Sequence, residues 1–531
     1  MMKDEQKDLI SVHRSSFIVS GILNSRKAAM NYPFDRAGVE RDEQGIARYT
    51  DLKNSIVEML RASVDEMPGN EALIELGGRR LTYREFWDEA ARVAGGLKKL
   101  GIERGDRVAV RLQNGVDWCL AFYGVQMCGA IAVPVNTRFS ESEVEYVVND
   151  SGSKYMFQPG ASLPTGDPFV VEDITRDEVS AIFYTSGTTG FPKGAMTTHE
   201  NFLSNVETCF RINLGMERDG SLKNLISVPL FHVTGCNSQL LPTIEGRGAV
   251  VIMPAFNVQD FLKAIVEEKT DIVTSVPAIH WLAINQPQFK TLDVSHVRWV
   301  TYGGAPIAPE LVSQLLNAYP NARLGNGFGL TETSSVSTFL PHEYAKLRPE
   351  TVGFAAPVVD VELFEVDSET GVGELLIRGQ NVVKGYWNKP EATANTFIDG
   401  WLHSGDLSKI DADGFVQIVD RKKDMICRGG ENVYCVEVEN AISAHPAVFE
   451  VAVLGVPDDV MGEKVGAVVF PKPGQTVDAR ELVGFTRELI ADFKVPQFVA
   501  ISQTPLPRNP NGKILKAKIR QETKWGEQIK R

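Results

Sequence analysis

The stretch from Val179 to Gly194 constrains this chain most. A short apolar run, Val179 to Tyr184, reads as a buried strand. It breaks at once into Thr185-Ser186-Gly187-Thr188-Thr189-Gly190-Phe191-Pro192-Lys193-Gly194. The glycines let the backbone come close to a ligand, Thr185, Ser186, Thr188 and Thr189 add hydroxyls, and Lys193 adds a mobile cation. Consecutive N–H groups, hydroxyls and an ammonium make a cradle for phosphate oxygens. A helical pattern from Asn201 predicts a strand–loop–helix unit, a common setting for phosphate binding. The nucleotidase P-loop does not fit. That motif ends in Gly-Lys-Ser/Thr, whereas here Pro192 precedes Lys193 and Gly194 follows it. Taken alone, the stretch also reads as a plain surface loop.

Around it, strands alternate with helices. Thr82-x-x-Glu85 and Ser140-x-x-Glu143 are capping boxes. The first opens a helix with Phe86, Ala90, Val93, Ala94, Leu97 and Leu100 on one face, ended by Gly101. Arg107–Val110 and Ala130–Val135 read as strands on either side of a helix from Asp117 to Cys128. This alternation indicates a parallel α/β sheet. At 531 residues the chain exceeds one hydrophobic core, so two or more domains are expected. Residues 1–50 lack periodicity and read as a leader laid over the surface. The segment between Asp150 and Val179 is short and rich in Gly, Pro, Ser and Asp.

Composition excludes several classes. A net charge of −13 speaks against nonspecific nucleic-acid binding. Six scattered cysteines without a CxxC pair fit a reducing cytosol better than a disulfide scaffold. The eight histidines show no metal-ligand spacing. No apolar run reaches the roughly 18–20 residues that span a bilayer, and the polar N-terminus shows no secretory signal. A cytoplasmic location is expected.

The loop, with the strand before it and Pro192-Lys193-Gly194 after it, closely resembles the phosphate-binding loop of the adenylate-forming superfamily. That superfamily includes acyl-CoA synthetases, luciferases and peptide-synthetase adenylation domains. Four further segments are similar to its motifs and follow in order. These are Asn326-Gly327-Phe328-Gly329-Leu330-Thr331-Glu332-Thr333, Gly400-Trp401-Leu402-His403-Ser404-Gly405-Asp406, the charged run Asp420–Asp424, and Pro507-Arg508-Asn509-Pro510-Asn511-Gly512-Lys513-Ile514. The resemblance implies an α/β fold with a large N-terminal domain of parallel sheets flanked by helices, including a small β-barrel-like part. A small, mobile α+β C-terminal domain completes it. The expected divisions are a leader over 1–50, an adenylation domain over 51–422 and the mobile domain over 423–531.

The same resemblance implies roles for particular residues. Thr185, Ser186, Gly187, Thr188, Thr189 and Lys193 would hold phosphates, with Thr331 on the α-phosphate and Lys513 as the catalytic lysine. Glu332 would be the Mg²⁺ ligand, a hard oxygen donor suited to that ion. Gly304, Ala305, Asn326, Gly327, Phe328 and Gly329 would surround adenine, with Phe328 as its flat face. Asp406 and Arg421 would hold the ribose. His232 would sit beside the reacting carboxylate, with Gly235, Cys236 and Gly303 lining a roomy acyl pocket; a hydrogen-bonded buried histidine is the bland alternative. Lys423 would be the hinge, and Arg428, Gly429 and Gly430 would border the coenzyme A tunnel. Arg428 and Cys435 depart from the family's commonest residues, Ser and Pro. Gly385 and Tyr386 read as a structural turn.

The implied activity is an ATP-dependent acyl-CoA synthetase, using ATP, Mg²⁺ and CoA and working through an acyl-adenylate on a medium- or long-chain fatty acid. An aryl or alicyclic acid ligase and an adenylate-forming amide synthetase are the alternatives, and a luciferase-type oxidative step is a further one. A degenerate acyl-nucleotide binder would have lost Glu332, Asp406 or Lys513, all of which are present. Expected partners are small molecules, with a homodimer open and with neither nucleic acid nor a transmembrane segment involved.

Overall fold

The computed structural model describes residues 32–185, 192–429, 431–508 and 514–529. Two largely parallel sheets, flanked by helices, form the body. The smaller orders its strands Ser153–Phe157, Arg107–Val110, Ile131–Pro134, Val179–Thr185 and Lys193–Thr198. All neighbours are parallel except the last pair, which is antiparallel with Thr185 opposite Lys193 and Tyr184 opposite Gly194. The glycine-rich loop is therefore the connection of a β-hairpin, which corrects the expected strand–loop–helix unit. Small and β-branched residues at Gly194, Ala195, Thr197 and Thr198 suit a buried, pleated edge. The helix His199–Ile212 begins only after that strand, where Thr198 Oγ1 accepts from the Asn201 N–H at 3.1 Å.

The larger sheet has nine strands, ordered Phe354–Ala355, Thr338–Leu340, Arg323–Phe328, Trp299–Gly303, Ile272–Ser275, Lys223–Ile226, Ala249–Ile252, Glu71–Glu75 and Arg80–Thr82. Its six inner strands are parallel, and the outer ones pair antiparallel. Both capping boxes form. The Glu85 carboxylate accepts from the Thr82 N–H and that of Glu143 from the Ser140 N–H, each at 2.8 Å. The helix Val116–Met127 is apolar on nearly every side because only Asp117 of it is exposed, with Trp118, Cys119, Phe122 and Tyr123 fully buried. Residues 158–178 cross these helices in an ordered path, the N–H groups of Gly166, Phe169 and Val171 donating to the carbonyls of Arg92, Ala91 and Met127.

Residues 32–50 do more than lie over the surface. Val39–Arg41 and Ala47–Tyr49 form a hairpin, and Phe34 and Tyr49 are buried. Phe34 packs against Phe339 and Phe354, each with ring centroids 6.4 Å away, and the Tyr49 N–H donates to Gln380 Oε1 at 2.9 Å. A few apolar anchors in a polar stretch leave no periodicity to read.

An antiparallel sheet of five strands (Val359–Phe364, Gly373–Gly379, Phe397–Ile398, Trp401–Ile410, Val416–Arg421) forms the β-barrel-like part. A separate C-terminal domain packs the helices Cys435–Ser443, Ala479–Arg487 and Lys516–Glu522 with a second five-stranded sheet, centred on Val448–Asp458 and Gly462–Pro471. Among the described residues no helix is long and apolar enough to cross a membrane.

Candidate active site

The parallel strands of the larger sheet all end on one side, where ligands of open α/β sheets bind. There a cleft of about 2250 Å³ opens between the N-terminal body and the C-terminal domain. Thr185 and Lys193, the cross-strand pair closing the glycine-rich hairpin, line it. So do Gly303, Gly304 and Ala305 after the strand Trp299–Gly303, and Asn326, Gly327, Phe328, Gly329, Thr331 and Glu332 at the end of the next strand. His232, Asp406, Arg421 and Lys423 complete the set. Ser186, Gly187, Thr188, Thr189, Gly430 and Lys513 lie outside the described residues. Arg508 and Ile514, on either side of Lys513, both line the cleft, whereas Arg428 and Gly429 do not.

Two expected pocket residues are not on the cleft wall. Cys236 begins a π-helical turn, Cys236–Leu240, and is fully buried in the core cluster that contains Cys119 and Tyr123. Burial pushes its thiol well up. Gly235 faces backbone, and a Cβ there would lie 2.3 Å from the Pro229 carbonyl oxygen. Its small size serves close chain packing, not a ligand. His232 caps the short helix Val233–Gly235 that leads into this turn, Nδ1 accepting from the Thr234 N–H at 3.2 Å.

The pair expected at the ribose is a cross-strand contact. Asp406 stands opposite Arg421 in the register of the antiparallel sheet, and Arg421 Nε forms an ion pair with Asp406 Oδ1 at 3.0 Å. The carboxylate is 3% exposed and the guanidinium 40%, so the charge pair presents its cationic half to the cleft. Asn326, expected at adenine, is 7% exposed and its amide donates to the Thr351 carbonyl at 3.2 Å, leaving the carboxamide oxygen as an acceptor.

Glu332 is the carboxylate expected on the phosphate side. Its Oε1 accepts from the Tyr386 hydroxyl at 2.8 Å, leaving Oε2 available. Tyr386 also carries Lys193 over its ring, the ammonium 5.0 Å from the centroid. A turn read as structural thus places an aromatic side chain between two expected ligands. The signal missed was a tyrosine with a titratable donor directly after a glycine. No group of three or more His, Cys, Asp or Glu that could hold a metal forms among the described residues. A single available carboxylate oxygen fits Mg²⁺, which takes one or two carboxylates and completes its shell with phosphate oxygens and waters. Glu332 would hold it, and it would neutralise charge developing on the phosphates.

Next to Lys423, the two domains are tied through Asp420. Its Oδ1 accepts from the Arg421 N–H at 2.7 Å, and its Oδ2 accepts from the Cys435 N–H at the start of the helix Cys435–Ser443. The Cys435 thiol donates to the Asp424 carbonyl at 3.0 Å. Burial pushes Asp420 up to about 6, outweighing the nearby Lys516 charge and both N–H groups. A second tie is aromatic, with Trp281 and Phe449 edge-to-face at 4.9 Å between centroids.

Residues 60–167 and 158–387 match the AMP-binding enzyme family, and residues 437–513 match the AMP-binding enzyme C-terminal domain. The chain is 34% identical over 478 residues to a feruloyl-CoA synthase of Amycolatopsis sp, covering 86% of this chain and 96% of that one. It is 35% identical over 505 residues to the long-chain-fatty-acid–CoA ligase FadD13 of Mycobacterium tuberculosis, covering 87% and 97%. Among solved structures it is similar to o-succinylbenzoate coenzyme A synthetase (MenE) from Bacillus subtilis in complex with ATP and magnesium ion. The TM-score is 0.78 at 27% identity, over 87% of this chain and 98% of that one. The chain belongs to the AMP-binding, adenylate-forming enzyme family, and it is an AMP-forming acid–thiol ligase, an acyl-CoA synthetase that uses ATP, Mg²⁺ and CoA.

Proposed function

We propose that the acid activated is a medium- or long-chain fatty acid, its carboxylate beside His232 and its tail running along the larger sheet. The observation that carries this reading is the continuity of the cleft. Past His232 it is walled by Ile272 and Trp299 of the sheet, by Cys209 and Ile212 of the helix His199–Ile212, and by Met216 and Phe339. From Gly303 down to Trp299 is four strand steps, about 13 Å of depth at about 3.3 Å per residue. Two features support an aryl acid as the second reading. Thr274 and Thr301 form a hydroxyl pair at 2.5 Å on the same wall, and the feruloyl-CoA synthase is a similarly close relative.

In the first half-reaction a carboxylate oxygen attacks the α-phosphorus, and the bond to the β-phosphate oxygen breaks to release pyrophosphate. Thr331, Lys193, the hairpin hydroxyls and Lys513 would supply donors and charge where the phosphates gain negative charge, with Asp406 and Arg421 holding the ribose. In the second, the CoA thiol attacks the acyl carbonyl and AMP leaves. With Arg508 and Ile514 at the cleft and Arg428 and Gly429 away from it, the present arrangement suits the first step. The second requires the C-terminal domain, with its boundary and hinge at Lys423, to turn. We also place the enzyme in the cytoplasm, a reading supported by six cysteines that are all free, five of them buried.

Two experiments test this. A panel of fatty and aryl acids with a pyrophosphate-release readout should favour chains of medium length or longer; preference for an aryl acid would replace the substrate reading. Lys513→Ala should slow acyl-AMP formation by about 10²–10³-fold and spare thioester formation from preformed acyl-AMP. Lys423→Pro, which fixes φ, should do the reverse. Equal loss of both halves in each variant would refute the assigned roles.

A further inference from the structure

We propose that Tyr386 is a positioning residue for adenylation, setting the Glu332 carboxylate for its metal and holding the Lys193 ammonium for phosphate. The inference rests on the roles given above to Glu332 and Lys193. It begins with how firmly Tyr386 is held. Its N–H donates to Thr393 Oγ1 at 3.0 Å, and it forms an isolated antiparallel bridge with Ala195 in the strand that carries Lys193. The flanking backbone adds two further bonds, Met196 N–H to the Gly385 carbonyl at 2.9 Å and Trp387 N–H to the Gly194 carbonyl at 2.8 Å. Tyr386 is 7% exposed, and its ring meets Phe397 edge-to-face at 5.7 Å. A phenol seated this way is part of the hairpin's own frame.

From this seat it reaches both charges. The hydroxyl donates to Glu332 Oε1, which fixes the plane of the carboxylate and reserves Oε2. The ring face meets the Lys193 ammonium, an attraction that holds the cation without neutralising it. Neither Lys193 nor Glu332 is spent in an ion pair among the described residues. The one side chain thus contacts a lysine and a glutamate of the same site, the lysine through its ring face and the glutamate through its hydroxyl.

The test uses Mn²⁺ as a spectroscopic stand-in for Mg²⁺, with ATP and no acid, read by electron paramagnetic resonance. Tyr386→Phe should weaken Mn²⁺ binding on the order of tenfold, the effect of losing one hydrogen bond to a charged group. It should raise the Mg²⁺ requirement of adenylation to match, with the thioester half-reaction within about twofold of wild type. Tyr386→Leu should add a rise in KM for ATP, because the face beneath Lys193 is gone. Unchanged Mn²⁺ binding in Tyr386→Phe, alongside weakened binding in Glu332→Gln, would overturn the role of Tyr386 alone. Unchanged binding in Glu332→Gln would overturn the metal reading and this inference with it. Equal loss of both half-reactions in Tyr386→Phe with a lowered unfolding midpoint would reduce Tyr386 to a structural residue.

Discussion

Gly329→Ala tests how tightly the phosphate side is built. A Cβ at Gly329 would lie 1.4 Å from the Ser335 carbonyl oxygen. Real Cβ atoms keep at least 3.0 Å, so that carbonyl would have to move by about 1.6 Å. No rotamer relieves the clash, because both sides are effectively backbone. Ser334 and Ser335 already adopt positive φ of 53° and 115°, and the turn is held by Ser334 and Ser335 N–H groups on the Thr331 and Leu330 carbonyls. Asn237 and Ser238 grip the same two serines at 3.0 and 2.6 Å. Displacing the turn breaks several of these bonds in a buried setting. At about 1–3 kcal/mol for each buried group left unsatisfied, a loss of roughly 4 kcal/mol is expected. Because Thr331 and Glu332 lie in the loop being displaced, adenylation should fall by 10²-fold or more, in line with lost transition-state contacts. Denaturant unfolding and pyrophosphate release measure the two effects. Gly484→Ala, in the helix Ala479–Arg487 with open space around it, is the control and should stabilise by about 0.5–1 kcal/mol. A Gly329→Ala enzyme with wild-type midpoint and rate would show that the loop is soft and refute the reasoning.

Three further outcomes are expected. Cys236→Trp should lower stability by roughly 1–3 kcal/mol or more through overpacking without shifting chain-length preference, which an acid panel and an unfolding curve would check. Phe449→Ala removes an interdomain edge-to-face pair worth about 0.5–1.5 kcal/mol, so adenylation should slow severalfold while thioester formation from acyl-AMP does not. For pH, Asp420 has its pKa raised by burial to about 6, against about 3.9 in an unfolded chain. Its stabilising contribution is complete below about pH 4 and is lost as pH rises through about 6, on the order of 2–3 kcal/mol. Wild-type stability should therefore fall relative to Asp420→Asn between pH 4 and 7, and parallel melting profiles for the two proteins would refute the assignment.

The features legible in sequence were those whose cause is local. The boxes at Thr82 and Ser140 form because capping needs only residues three apart, and the strand Val179–Thr185 declares itself by its apolar run. The return strand Lys193–Thr198 was not legible, since Gly194 and Lys193 mask a short β pattern and its pairing is tertiary. Cys236 illustrates another limit. A small residue beside a candidate site histidine reads equally as pocket or packing, and only the fold shows Cys119 and Tyr123 around it. Tyr386 was passed over because nothing adjacent in the chain reveals Glu332, 54 residues away, as its partner. The anchors Phe34 and Tyr49 likewise bind to residues far along the chain.

That last kind of pairing has a cost during synthesis. The strand Glu71–Glu75 takes its place in the nine-stranded sheet beside Ala249–Ile252, with Leu73 opposite Val250. The smaller five-stranded sheet uses only residues between 107 and 198, which leave the ribosome before Ala249–Ile252. At about 5–20 residues per second, the ribosome needs roughly 9–35 seconds to deliver the strand that Ala72, Leu73 and Ile74 await. Through that interval three residues destined for full burial stand on an unpaired β edge, the template on which chains aggregate. Yield of active enzyme should therefore depend on a holding chaperone at the ribosome far more than the stability of the finished fold would suggest.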